Sequence, residues 1–247
     1  MNIHLTTGGS ESMFKIIDGK KKPIPVSLSP KEGPDEMVLT KGKFQLGPNS
    51  KNERDVAYVF GQSGSGKSYF VVDLVNQYKK AHPKNRIFLF TTVYDVSTID
   101  KIKGLKKIKT GDPEFLSMPF LLEEFKDSII IFDDVDGIQN KALKQKMWFC
   151  MSEILTKGRH YNISCVVTNH VATNGPDTKL ILNEAQSITL FPSTVGARVL
   201  KYVLSDYLGM SRDEINRVKK LDSRAVTIIK SYAKIIVSEK EAFILRN

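Results

Sequence analysis

The chain is short of the residues that staple, anchor or metallate a protein. Among 247 residues there are two cysteines, Cys150 and Cys165, and one tryptophan. Two cysteines inside apolar segments argue against a disulfide framework and exclude a cysteine-rich zinc site by count. The four histidines, His4, His82, His160 and His170, show no H-E-x-x-H or similar spacing. No apolar run approaches the roughly 20 residues that span a bilayer. The opening MNIHLTTGGS lacks the apolar stretch of a signal peptide, so an intracellular protein without membrane insertion is expected. Internal repeats and low-complexity tracts are also missing.

What is present is a basic, ordinarily hydrophobic chain: 41% hydrophobic, 26% charged, with Lys+Arg 37 against Asp+Glu 27 for a net charge of +10. That balance suits a polyanionic partner such as nucleic acid, or simply a basic soluble surface. The first fifty residues are rich in Lys, Pro and Gly; DGKKKPIPVSLSPKEGPDE can form neither a long helix nor a central strand. Residues 1–50 therefore read as an N-terminal extension of short strands and loops, and 51–247 as the main domain. From Arg54 short apolar runs alternate with amphipathic helices. Strands are predicted at VAYVF (56–60), IFLFTT (87–92), SIIIF (128–132), ISCVVT (163–168) and SITLF (187–191), with a terminal pair within 225–238. Helices are predicted over 68–82, 140–158, 197–209 and 211–221. Continuously apolar strands separated by helices imply an α/β fold, with a mostly parallel central sheet covered by helices on both faces.

GQSGSGKS (61–68) fits G-x-x-x-x-G-K-[ST] between a predicted strand and a predicted helix, the context that gives the motif meaning. Glycines let backbone N–H groups turn inward around phosphates, and the helix N-terminus adds partial positive charge. Gly61, Ser63, Gly64, Ser65, Gly66, Lys67 and Ser68 are thus the candidate cradle of a nucleoside triphosphate. Lys67 would reach the β- and γ-phosphates and the Ser68 hydroxyl would ligate Mg²⁺. The competing reading is a flexible Gly/Ser turn.

IIIFDDVD (129–136) sets Asp133 and Asp134 at the tip of an apolar strand, where a carboxylate is costly to bury without a partner. Asp133 is the candidate Mg²⁺ acid. Asp134, next along, would point to the other side of the strand and polarise an attacking water, with Asp136 as a substitute. A turn-forming acidic cap is the blander alternative. The paired acids favour water as the attacking group, hence ATP hydrolysis over a small-molecule kinase reaction, and no guanine-reading N-K-x-D occurs.

Together with KGRHYNISCVVTN (157–169), these motifs resemble the FtsK–HerA superfamily of DNA-pumping ATPases, above all the genome-packaging ATPases of large double-stranded DNA viruses and virophages. The resemblance spans roughly residues 55–192. It implies a RecA-like core in which strand 163–168 lies between the Walker A and Walker B strands. It also implies that Asn169 acts as a sensor beside the γ-phosphate, and that Arg159 reaches into a neighbouring subunit's ATP. By the same resemblance the protein is an ATPase ring, hexameric or pentameric, that moves double-stranded DNA without reading sequence. Its partners would be capsid or portal-like viral proteins, and its place the host-cell cytoplasm (the virus factory) or the virion. One departure is Asp134, where cellular members usually carry Glu. Read without the resemblance, Arg159 is a helix-terminal cation and Asn169 a strand-ending turn residue. Arg198, Arg212 and Arg217 are rival fingers, and His160 and His170 read as structural or surface residues.

KIKGLKKIKTGD (101–112) holds five lysines. It is either a phosphate-gripping segment or a solvated basic loop over Ile102, Leu105 and Ile108. RVKK (217–220) and GKKK (19–22) are weaker candidates of the same kind. The remaining functional alternatives are a phosphotransferase acting on a small molecule, a helicase-like DNA-dependent ATPase, and a capsid component that uses ATP as an assembly switch.

Overall fold

The computed structural model describes residues 2–5, 14–17, 23–24, 54–92, 98–173, 175–221, 223–230, 234–238 and 242–244. Near the N-terminus, β1 (Asn2–Leu5), β2 (Phe14–Ile17) and β3 (Pro23–Ile24) pair antiparallel in a small sheet of that order. The rest of the expected extension, with GKKK at 19–22, lies outside the described residues.

The large sheet begins with β4 (Val56–Phe60), followed by α1 (Lys67–Ala81), β5 (Arg86–Thr91), β6 (Leu105–Lys109) and α2 (Pro113–Ser117). Next come β7 (Ser128–Phe132), α3 (Lys141–Lys157), β8 (Ile163–Asn169), α4 (Pro176–Glu184) and β9 (Ser187–Leu190). The chain ends with α5 (Ala197–Leu200), α6 (Arg212–Lys220), β10 (Val226–Ile229), β11 (Ile235–Ser238) and β12 (Ala242–Ile244). Among the described residues nine strands lie in the order β12-β11-β10-β9-β4-β8-β7-β5-β6. The run from β9 to β6 is parallel, and β10 to β12 add an antiparallel flank. β8 lies between β4 and β7, as the resemblance implies.

Side-chain alternation explains why both faces are covered. Val59, Leu89, Ile129, Ile131 and Val166 turn to one face and bury Val71, Leu74, Val75 and Tyr78 of α1. Their neighbours Tyr58, Phe60, Phe90, Ile130, Phe132, Cys165 and Val167 turn to the other and bury Met147, Cys150, Met151, Ile154 and Leu155 of α3. The period of two along each strand meets the 3.6-residue stripe of each helix.

Three parts differ from the sequence-based expectation. The lysine-rich stretch 101–112, read as a phosphate-gripping segment or a basic loop, holds a strand at its centre: Leu105–Lys109 forms an edge strand on β5. Lys106, Lys107 and Lys109 are exposed while Leu105 and Ile108 are half-buried. A charged edge strand resists pairing with other chains, which gives these lysines a physical reason independent of any ligand. The expected helix 197–209 begins as α5 but continues in π-helical form over Lys201–Tyr207. α4 forms where no helix was predicted and begins at a proline, acceptable at a helix start because the missing N–H has no intrahelical partner there.

Candidate active site

The parallel strands β4, β7 and β8 end on the same edge, and the candidate residues gather in the connections that leave it. After Phe60 the chain turns through residues 61–66 into α1. Gly66 caps that helix at φ 112°, with no side-chain cap hydrogen bond among the described residues. The first-turn N–H groups and the helix dipole form an anion-binding concavity. Gly61 must be glycine for space: a Cβ there would lie 2.8 Å from Ser65 Oγ and 2.9 Å from Phe191 Cδ2. Its N–H donates to the Asn169 carbonyl at 3.2 Å, tying the loop to the end of β8. Ser63 and Gly64 are exposed, Ser65 is buried and Ser68 half-buried. Ser65 Oγ is buried without a hydrogen-bond partner among the described residues.

Lys67 is 7% exposed. Its ammonium donates to the Gly61 carbonyl at 2.9 Å, lies 3.2 Å from His170 Nδ1 and stands 3.6 Å from Asp134 Oδ1. Asp133 is 8% exposed, and its backbone N–H extends the ladder to the Phe90 carbonyl. Burial, and then the Asp134 charge, push its carboxyl from 3.8 up to about 6. Thr168 organises the pair: its hydroxyl lies 2.8 Å from Asp133 Oδ1 and 3.3 Å from Asp134 Oδ1, and accepts the Asp134 N–H at 2.9 Å.

Asp134 does not continue the strand alternation. β7 ends at Phe132, and Asp134 adopts left-handed backbone, φ 48°, at the start of a 3₁₀ turn, Val135–Gly137. Such a conformation costs a non-glycine residue on the order of 1 kcal/mol. It brings both carboxylates to one hydroxyl instead of sending Asp134 to the other side.

The expectations for histidine and for Asp136 also need correcting. His170 joins the cluster, with Nε2 3.1 Å from Asp134 Oδ2. Its ring therefore spans Lys67 and Asp134; accepting from Lys67 at Nδ1 leaves Nε2–H to donate to the carboxylate. Asp136 is committed to backbone instead, with Oδ2 accepting the N–H groups of His170 and Val171 at 2.9 and 3.1 Å. No spacing rule in the sequence announces these contacts, since they link connections after two different strands.

Asn169 is 5% exposed, and its side-chain amide donates to the Tyr58 hydroxyl at 3.2 Å. Its Oδ1 is buried and has no hydrogen-bond partner among the described residues. Asn169 thus borders the cluster through its backbone, while its flanking residues Thr168 and His170 enter it with their side chains. Arg159 lies elsewhere, exposed on a 3₁₀ turn, Gly158–Tyr161, ahead of β8. β8 runs seven residues between that turn and the cluster, about 20 Å of extended chain. Arg159 cannot serve the site of its own chain. Arg198 and Arg212 are exposed at the starts of α5 and α6, and Arg217 lies in the last turn of α6.

Among the described residues no group of three or more His, Cys, Asp or Glu could hold a metal alone. One buried carboxylate and one helix hydroxyl suit a cation such as Mg²⁺, which keeps waters and takes phosphate oxygens as its other ligands.

No protein-family model matches the chain. Over 238 residues, 94% of this chain and 95% of the relative, it is 37% identical to a Sputnik virophage protein known as Uncharacterized protein V3. The chain belongs to the V3 family of virophage proteins. Its fold is similar to the cytoplasmic domain of the Thermomonospora curvata type VII secretion ATPase EccC, at TM-score 0.50 and 11% identity over 79% of this chain and 27% of that one. It is also similar to the genome packaging NTPase B204 of Sulfolobus turreted icosahedral virus 2 in complex with ATP-gammaS. There the TM-score is 0.46 and identity 17%, over 79% of this chain and 98% of that one. For this V3 relative, the likeness to EccC shows a shared P-loop ATPase fold. No described helix of it is long and apolar enough to cross a membrane.

Proposed function

We propose that this V3-family chain is an ATP-hydrolysing motor that translocates double-stranded DNA into a viral capsid. The observation that carries the reading is the convergence, at one sheet edge, of an uncapped P-loop helix, Lys67 and the Asp133–Asp134 pair. In this reading the amides of Gly61–Ser68 and Lys67 hold the phosphates of ATP. Ser68 and Asp133 would hold Mg²⁺, which supplies neutralisation of phosphate charge. Asp134 takes the proton of the attacking water, with His170 and Thr168 fixing its carboxylate. Asn169 senses the γ-phosphate by turning its amide away from Tyr58.

Ammonium, carboxylate and imidazole satisfy one another in the arrangement described above, and an incoming polyphosphate competes with Asp134 for Lys67. Binding thereby frees the Asp134 carboxylate for water. Arg159, too far along β8 to act on its own site, is the cation that a neighbouring subunit receives in a ring of six or five. A guanidinium there spreads phosphoryl charge. Residues 1–50 form a separate extension and 51–247 the ATPase domain, with capsid or portal-like proteins as partners in the infected cytoplasm or the virion.

The test is the ATPase rate per subunit against protein concentration, with and without long double-stranded DNA. The expected result is a rate that climbs with concentration and rises further with DNA. A rate flat in concentration and indifferent to DNA refutes the motor.

A further inference from the structure

A phosphate loop depends on where its amides point. In a trans peptide the carbonyl and N–H face opposite ways, and there is no cis bond among the described residues. Whatever holds a loop carbonyl outward therefore aims the N–H of the following residue inward. Arg224, immediately ahead of Ala225 and β10, does this from 159 residues away. Its Nε donates to the Ser65 carbonyl at 2.7 Å, and its Nη2 donates to the Gly64 carbonyl at 2.9 Å. Two carbonyls on one guanidinium fix two successive peptide planes. The Ser65 N–H donates within the loop to the Gln62 carbonyl at 3.1 Å, so of the two held planes it is the second, with the Gly66 N–H opposite the Ser65 carbonyl, that leaves an amide for a ligand.

Gly66 is shaped around the same contact. At φ 112° it occupies backbone that glycine adopts without strain, and a Cβ would lie 3.2 Å from Arg224 Nε. The planar fork of arginine suits two adjacent acceptors, and its permanent charge adds to the positive potential of the helix terminus. Arg224 also walls a cavity of about 220 Å³ between α1 and β10–β11, beside Gly66, Tyr69 and Phe191. A direct contact with the nucleoside is therefore the rival role that an experiment must separate.

We infer that Arg224 is a positioning residue that sets the P-loop amides for polyphosphate and ties the antiparallel flank of the sheet to the nucleotide site. This rests on the P-loop reading above. The experiment compares the full-length wild type, Arg224→Ala and Arg224→Lys by calorimetric binding of ADP and of inorganic tripolyphosphate, with KM and kcat for ATP. Arg224→Ala is expected to weaken both ligands by one common factor, on the order of ten- to a hundredfold, as for lost charge-assisted hydrogen bonds. KM rises by that factor while kcat changes little, as when uniform binding is lost. Arg224→Lys, with the charge but no fork, recovers only part of the affinity.

Wild-type tripolyphosphate affinity in folded Arg224→Ala overturns the inference, and so does a loss confined to ADP, which would mark a nucleoside contact. A merely structural arginine would lower the melting temperature and leave the affinity of the folded fraction unchanged, which likewise overturns it. If Arg224→Ala does not fold, Arg224→Lys decides by the same readouts, wild-type affinity being the contrary result. Failure of the wild type to bind either ligand removes the P-loop reading itself, an outcome distinct from a wild type and variant that bind equally.

Discussion

Asp133 is a carboxylate held largely out of water, 8% exposed. Its carboxyl rises from 3.8 to about 6 through burial and the neighbouring Asp134 charge, so the folded chain holds that proton more tightly than the unfolded chain. Stability contributed by the bound proton is fully present below about pH 4 and is lost as pH rises through about 6. Above that, the ionised buried group costs about 3 kcal/mol at 1.36 kcal/mol per pKa unit. Asp133→Asn keeps the shape and can still accept from Thr168. The variant should therefore gain up to about 3 kcal/mol in the nucleotide-free protein near pH 7.5 and lose ATP hydrolysis. Urea unfolding at pH 4 and pH 7.5 checks this: the advantage should disappear at pH 4, and equality with wild type at pH 7.5 would contradict it.

At the scale of elements, legibility followed sequence distance. The strand–loop–helix around Lys67 was readable because glycine spacing, the apolar run before it and the helical stripe after it are all local. β8 ending in Asn169 was readable for the same reason. The end of β7 at Phe132 was readable from the SIIIF run, but the left-handed turn at Asp134 was not, because nothing local announces that its backbone swings to Thr168. His170 and Arg224 were invisible as site residues because their partners lie 103 and 159 residues away. β6 was not legible as a strand because three of its five residues are lysines; its two apolar residues go one to each face, Leu105 to the core under α1 and Ile108 to the core under α3. That element carries its own prediction. Lys106→Val with Lys109→Val should leave ATPase activity of freshly prepared protein near wild type. The variant should, however, aggregate as concentration rises, because the edge loses its charge. Turbidity and sedimentation against concentration test it; an intact solution state together with lost DNA stimulation would instead assign these lysines to DNA.

At the scale of the whole molecule, the separation of Arg159 from its own P-loop is what puts the proposed ring to the test. A residue at the start of β8 and a site at its end lie on opposite edges of the sheet. A head-to-tail ring brings such edges together, because one surface of each subunit meets a different surface of the next. This predicts a particular pattern of complementation. Arg159→Ala subunits retain a whole P-loop but offer no cation to the neighbour. Lys67→Ala subunits cannot use their own site but still offer Arg159. Each alone should be nearly inactive, the first reduced by roughly 10³–10⁵, the usual worth of an arginine finger. Mixed in equal amounts with random neighbours, half the sites are intact and half of those face a finger, so activity should return to about a quarter of wild type. ATPase assays on mixtures at fixed total protein measure it directly. Recovery that peaks near equal proportions requires a finger acting between chains, whereas a mixture that stays at the level of its inactive components would return Arg159 to the role of a solvated cation behind α3.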